Sequence, residues 1–127
     1  MAWNLEADKP IYSQLVEIIQ MQIISGKYKA GDRLPSVREL AAEASVNPNT
    51  MQKALSELER NGLIITQRTS GRTVTEDTKL IKETQAKLAE EYIQSFFHTM
   101  KELGYSEEEI LELISKSVEE GESSWKF

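Results

Sequence analysis

Residues 47–62, NPNTMQKALSELERNG, decide how this chain is read. Asn47 suits an N-cap, because its short side chain can accept from the free backbone N–H groups of a first turn, and Pro48 suits the first helical position. Asn61 and Gly62 close the helix. Met51, Ala54, Leu55 and Leu58 recur at helical spacing as a buried stripe, while Asn49, Thr50, Gln52, Lys53 and Ser56 fall mostly on the other side. That leading face is polar yet nearly free of acid. Amides and hydroxyls there suit base edges in a major groove, where Asn or Gln can bond bidentately to adenine and Thr can offer its methyl to thymine. Taken alone, the same residues also fit an ordinary solvated helix face, so the flanking segments carry the decision.

Immediately upstream, Ser36-Val37-Arg38-Glu39 is a capping box: the Ser36 hydroxyl can accept from the Glu39 N–H while the Glu39 carboxylate reaches back to the Ser36 N–H. A helix therefore starts at Ser36, with Val37, Leu40, Ala41 and Ala44 as its inner stripe. Arg38 lies in its first turn on the opposite side, where a guanidinium beside free helix N–H groups makes a phosphate clamp; the competing reading is a local pair with Glu39 or Glu43. Only Ser45, Val46 and the cap separate this helix from the next, which predicts a helix-turn-helix with Val46 plugging the angle. Further back, PIYSQLVEIIQMQIIS (residues 10–25) starts on a Pro and carries Ile11, Leu15, Ile18, Ile19 and Ile23 beside Tyr12 and Val16. So wide an apolar face predicts a helix buried on more than one side. Gly26 stops it, and KYKAGDRL leads as a turn and a short extended piece to Pro35, placing Arg33 next to the clamp. Trp3 and Leu5 are expected to pack, Trp3 in the core or at a dimer contact.

Downstream, residues 63–68 are β-branched and strand-like, Thr69-Ser70-Gly71 reads as a turn, and Arg72-Thr73-Val74-Thr75 as the return strand. A β-hairpin after a helix-turn-helix makes a winged helix. Arg68 and Arg72 flank its glycine-containing tip, which can lie over phosphates or enter the minor groove. An exposed hairpin with incidental arginines is the alternative.

From Glu76 the composition turns to acid-rich helix. Leu80, Leu88, Ala89, Tyr92, Ile93, Phe96, Phe97, Met100 and Leu103 make a long amphipathic stretch up to Gly104. Ser106 to Glu109 form a second capping box, Tyr105 and Ile110 a hydrophobic staple, and Ile110, Leu111, Leu113, Ile114 and Val118 a shorter helix. Two antiparallel helices with an apolar face cannot close a core alone, so a second copy is expected to supply the missing surface, with Leu88, Tyr92, Phe96, Phe97, Met100, Ile110 and Ile114 as the dimerisation residues. An effector pocket is the rival for these side chains, but about 45 residues leave little room for a cavity of several hundred Å³. The tail GESSWKF is left open, with Trp125 and Phe127 able to dock on the partner.

Composition narrows the function classes. The net charge of −6 is uneven: residues 1–75 hold nine Lys/Arg and eight Asp/Glu, a net of +1, whereas residues 76–127 hold six and thirteen, a net of −7. Arg33, Arg38, Lys53, Arg68 and Arg72 gather around the reading helix and the hairpin, as a nucleic-acid partner requires. With no cysteine there are no disulfides or thiolate metal sites, and His98, the single histidine, is a poor metal ligand by itself. Glu107-Glu108-Glu109 is helix-start acid favoured by the dipole. No apolar run reaches the roughly 18 residues of a membrane span, and MAWNLEADKP lacks a signal-peptide core, so a cytoplasmic protein with no membrane partner is expected.

GDRLPSVRELA, then VNPNT, then LSELERNGLI and a Gly-tipped hairpin together resemble the GntR family of bacterial transcriptional regulators, and MKELGYSEEEI is similar to its YtrA subfamily. The resemblance spans nearly the whole chain. It implies a homodimer binding palindromic operators, usually as a repressor, with a winged helix in each subunit and a small two-helix dimerisation region, in a group often associated with transport operons. By position, Arg33, Arg38, Asn49, Thr50, Gln52 and Lys53 match the family's DNA-contacting surface and Gly71 its wing-tip glycine. Many members carry Arg where Pro48 and Gln52 stand here, which favours adenine over guanine contacts. The wing reads RTSGRTV in place of RxGxGTFV, which leaves the roles of Arg68 and Arg72 open.

The expected protein is mainly α with a small β-hairpin: a winged helix-turn-helix DNA-binding domain over residues 1–75, then a short α-helical dimerisation hairpin within 76–127. The expected DNA-binding residues are Arg33, Ser36, Arg38, Asn47, Asn49, Thr50, Gln52, Lys53, Arg68, Gly71 and Arg72; no catalytic residue, metal site or cofactor is expected. Its function is sequence-specific transcriptional regulation, as a homodimeric repressor of a small, transporter-type operon and of its own gene. The partners are palindromic double-stranded operator DNA and a second copy, with a small-molecule effector left open. A winged helix used purely as a protein-interaction module is the rival. An enzyme is a distant third reading, because the 52 residues after Thr75 leave no room for a catalytic domain and no nucleophile, base and metal set appears.

Overall fold

Sequence punctuation becomes element boundaries almost directly. The computed structural model describes residues 3–121, and orders its elements as α1 (Ile11–Ile24), α2 (Val37–Ala44), α3 (Pro48–Arg60), β1 (Ile64–Gln67), β2 (Gly71–Val74), α4 (Thr78–Glu102) and α5 (Glu107–Glu120). Pro10 precedes α1. The Ser36 box closes as the residues require: Ser36 Oγ accepts from the Glu39 N–H at 3.1 Å and Glu39 Oε1 from the Ser36 N–H at 3.0 Å. Asn47 Oδ1 accepts from the Asn49 N–H at 2.7 Å, with Pro48 leading α3. Between α2 and α3 the chain turns through Ser45, the one non-glycine with positive φ among the described residues. Its left-handed conformation ends α2 and lets the Val46 N–H donate to Ala41 O at 2.9 Å, with Val46 half-buried against the core.

The chain divides into two compact units, Met1–Gln85 and Ala86–Phe127. In the first, α3 is the central element, packed against both α1 and α2. Met51, Ala54, Leu55 and Leu58 are wholly buried. They meet Leu15, Ile19 and Ile23 of α1, the Leu40, Ala41 and Ala44 stripe of α2, and Leu63, Ile64 and Val74 around the hairpin. Trp3 belongs to this core, and its indole N–H donates to Glu43 Oε1 at 3.3 Å. The unit runs past residue 75 because Leu80 and Ile81, in the first turn of α4, also pack on the core. Asp77 starts that helix by accepting the Leu80 N–H at 3.0 Å.

The hairpin is antiparallel, with Ile64 opposite Val74 and Gln67 opposite Gly71. The extended piece before α2 adds a third edge. Leu34 N–H donates to Arg72 O at 2.9 Å and Val74 N–H to Asp32 O at 2.8 Å, and Arg33 forms an antiparallel bridge opposite Thr73. Gly71, expected in the turn, opens β2 instead, and Arg68 to Ser70 form the tip. Its φ of +77° explains the glycine: a Cβ would meet nothing within 4 Å, so the backbone and not crowding excludes other residues.

In the second unit α4 ends on Gly104, with the Tyr105 N–H returning to Met100 O at 3.2 Å. The Ser106 box then starts α5, Ser106 Oγ accepting from the Glu109 N–H at 3.2 Å. Lys101 Nζ reaches Glu107 Oε1 across the turn at 3.0 Å. Close packing between the helices does not extend along their lengths, in contrast to α1 with α3. Consequently α4 has no buried residue, and Tyr92 is 61%, Phe96 43% and Leu103 68% exposed. Among the expected pairing residues, Ile110 is wholly buried within the single chain. Ile114 stays accessible, Leu88, Phe97 and Met100 are half-buried, and Phe96 and Phe97 meet edge-on at 5.9 Å. The reading of Trp125 and Phe127 lies outside the described residues.

Candidate nucleic-acid interface

Four segments of the first unit bring the cationic and amide side chains to its surface. A cleft of about 680 Å³ lies between the start of α2 and the hairpin, lined by Arg33, Ser36, Arg38, Gly71 and Arg72, with Leu34, Pro35, Val37 and Glu39 completing it. The capping box keeps the Ser36 end of α2 rigid and occupies Glu39, whose carboxyl the Ser36 N–H holds below its ordinary pKa. Glu43, the other candidate partner of Arg38, accepts from the Trp3 indole and lies 4.0 Å from Lys27 Nζ. Arg38 is therefore exposed and makes no ion pair among the described residues. Arg33 is exposed beside it, its backbone fixed by the bridge to Thr73.

A second groove, of about 590 Å³, is formed where α3 meets the start of α1, and Asn49, Thr50 and Lys53 line it with Pro10, Ile11 and Tyr12. Lys53 Nζ stands 3.9 Å above the Tyr12 ring, so a cation–π contact holds the ammonium at the groove's edge. Sequence reasoning assigned Tyr12 only to an apolar face. Gln52 is exposed and donates along the helix to Ser56 Oγ at 3.3 Å. Asn47 is taken up by its capping bond, while Asn49 is exposed and Thr50 half-exposed on the leading turn of α3.

The hairpin treats its two arginines differently. Arg68 is exposed at the tip and unpaired among the described residues. Arg72 turns back onto α3: its Nε–H donates to Glu59 Oε1 at 2.6 Å, and only 21% of its side chain is exposed. Partial burial pushes the Glu59 carboxyl up, but the bond from Arg72, the nearby Thr66 hydroxyl and the Arg72 charge outweigh it, so Glu59 titrates below its ordinary value. Glu59 was not singled out in the sequence, because a partner thirteen positions away falls outside helical spacing.

No group of His, Cys, Asp and Glu side chains among the described residues could hold a metal, and no helix is long and apolar enough to cross a membrane. A polar helix end, the cationic start of its neighbour and a hairpin with an arginine at its tip together define a winged helix-turn-helix of the kind that binds DNA.

Comparison with known proteins gives the family. Residues 11–74 match the bacterial regulatory proteins of the gntR family, and the chain belongs to that family. It is 40% identical over 118 residues to the HTH-type transcriptional regulator YhcF of Bacillus subtilis (strain 168), covering 93% of this chain and 98% of YhcF. To the HTH-type transcriptional repressor YtrA of the same organism it is 47% identical over 70 residues, 55% of this chain and 54% of YtrA. Among solved structures, a GntR family transcriptional regulator from Listeria monocytogenes superimposes with a TM-score of 0.83 at 40% identity, covering 88% of this chain and 98% of that one. The DNA-binding domain of AraR in complex with operator ORE1 gives a TM-score of 0.51 at 27% identity, over 59% of this chain and 94% of that domain. The chain is thus a DNA-binding transcriptional regulator of the GntR family.

Proposed function

We propose that this regulator is a cytoplasmic homodimeric repressor of a small, transporter-type operon and of its own gene, acting on a palindromic operator. The observation that carries the DNA-reading part is the exposed leading turn of α3, whose Asn49 and Thr50 line one groove with Lys53 while Arg33 and Arg38 line another on the same unit. In this reading Asn49, Thr50 and Gln52 contact base edges in the major groove. Arg33, Arg38, Lys53 and Arg68 hold phosphates, and Ser36, Asn47 and Gly71 keep the helix ends and the wing tip in shape. Repression is supported by the name of the YtrA relative.

Pairing is supported by apolar surface. Tyr92, Ile93, Phe96, Leu111 and Val118 are all exposed large apolar side chains, the kind of surface that marks an interaction site when it is gathered on one face. Self-association through this face would set the separation of two reading helices and so the half-site spacing. An effector would act by favouring one such separation over another.

The test is fluorescence anisotropy with the duplex upstream of the protein's own gene, against a scrambled duplex, across a salt series. Tight binding to the native duplex alone supports an autoregulating operator binder. Equal, salt-erased binding to both sinks the autoregulation reading.

A further inference from the structure

Arg72 and Glu59 sit where a wing joins a reading helix, and neither is free. Glu59 lies near the end of α3, and its carboxylate accepts the Arg72 Nε–H at 2.6 Å. The Thr66 hydroxyl also favours its ionised form. Thr66 and Arg72 are directly opposite each other in the hairpin register, one on each strand. The carboxylate thus holds the return strand at Arg72, the rung that faces Thr66 of the first strand. On the same residue, the Arg72 carbonyl accepts the Leu34 N–H, so this rung is also tied to the segment leading into α2. Beyond it, only Gln67, the tip and Gly71 remain, with Arg68 exposed.

From this geometry we infer that Glu59 is a positioning residue: through Arg72 it latches the wing to the reading helix, and Arg72 serves as the latch and not as a phosphate contact. The wing then presents one cation, Arg68, at a fixed distance from Asn49 and Thr50. An acidic side chain near a DNA-facing surface is kept because the orientation it imposes outweighs its repulsion of phosphate. This inference rests on the DNA-binding reading of the surface, though the latch itself can be measured without DNA.

The experiment uses the full chain, and a duplex enriched by the wild-type protein from a randomised pool. Variants are Glu59→Ala, Arg72→Ala, Arg68→Ala and the exchanged pair Glu59→Arg with Arg72→Glu. Hydrogen exchange without DNA should show faster exchange of the residue 64–74 amides in both latch variants, unchanged exchange in Arg68→Ala, and recovery in the exchanged pair. With DNA, Glu59→Ala and Arg72→Ala should each weaken binding about fivefold, the scale of one partly exposed charge-assisted bond. Neither should change the salt dependence, whereas Arg68→Ala should flatten the slope by about 0.9 per protomer, as removal of a phosphate-neutralising cation does. Tighter binding by Glu59→Ala, or a slope flattened by Arg72→Ala, overturns the inference, because both are what a phosphate-bound Arg72 produces. Unchanged exchange in the latch variants overturns it too. If no duplex is enriched, the DNA-binding reading fails while the hydrogen exchange still decides the latch.

Discussion

Truncating Arg38 to Ala isolates the cleft between α2 and the wing. The guanidinium is exposed on the first turn of α2, away from the buried Leu40, Ala41 and Ala44, and both nearby carboxylates are engaged elsewhere. Its removal should leave folding stability within about 0.5 kcal/mol of wild type, the range of ordinary surface changes. A charge-assisted bond from Arg38 to a phosphate contributes about 1.5–3 kcal/mol, so deleting one such bond weakens binding roughly tenfold to a hundredfold. The proposed homodimer would carry the change twice, which makes tenfold the lower bound. The slope of log affinity against log salt should fall by about 0.9 for each phosphate no longer neutralised. Anisotropy titrations at several salt concentrations read both quantities, and thermal melting checks the fold. Binding and slope both unchanged would remove Arg38 from the interface and, with it, the assignment of the cleft to phosphate.

Three further outcomes are expected. Met51→Ala empties a wholly buried position at the centre of the first unit and should destabilise it by about 2–5 kcal/mol in urea unfolding; a change under about 1 kcal/mol would contradict the packing described. Phe96→Glu places a charge on the exposed apolar face of α4; light scattering should give a dimer for wild type and a monomer for the variant, and a monomeric wild type or a dimeric variant would refute pairing through this face. Glu59 has a folded pKa below its ordinary value, so between the two values the unfolded chain binds more protons and stability rises with pH. Its contribution is complete above the ordinary carboxylate range and is lost as pH falls through the lowered folded value. The urea midpoint of wild type should exceed that of Glu59→Gln at neutral pH, and the gap should close on acidification; a gap independent of pH would refute the assignment.

Local chemistry was the legible part of this sequence. Ser36, Asn47 and Ser106 each announce a helix start because the capping partner lies within three residues. The α3 stripe is readable because period 3.6 leaves few other ways to bury Met51, Ala54, Leu55 and Leu58. What escaped reading depends on approach through space. Residues 32–34 join the sheet although three residues are too few for alternation to show. Trp3 could be assigned to packing but not to the core of its own unit. Arg72 carries the same side chain as Arg68, and only the placement of Glu59 separates a latched arginine from an exposed one. Ile110 shows the converse: helical spacing puts it among the apolar residues of α5, and only the structure shows that it is wholly buried within its own chain.

The burial of Trp3 gives this regulator an optical label that nature has already installed. Its indole sits in the core of the unit that carries the reading helix and the wing, with its N–H on the Glu43 carboxylate. The chain has two tryptophans, so replacing Trp125 by Phe leaves a single emitter. Its emission spectrum should lie to the blue while that core is closed and move to the red when water enters. Unfolding of the winged-helix unit can thus be followed by its own light, without attaching a dye near the DNA-facing surface.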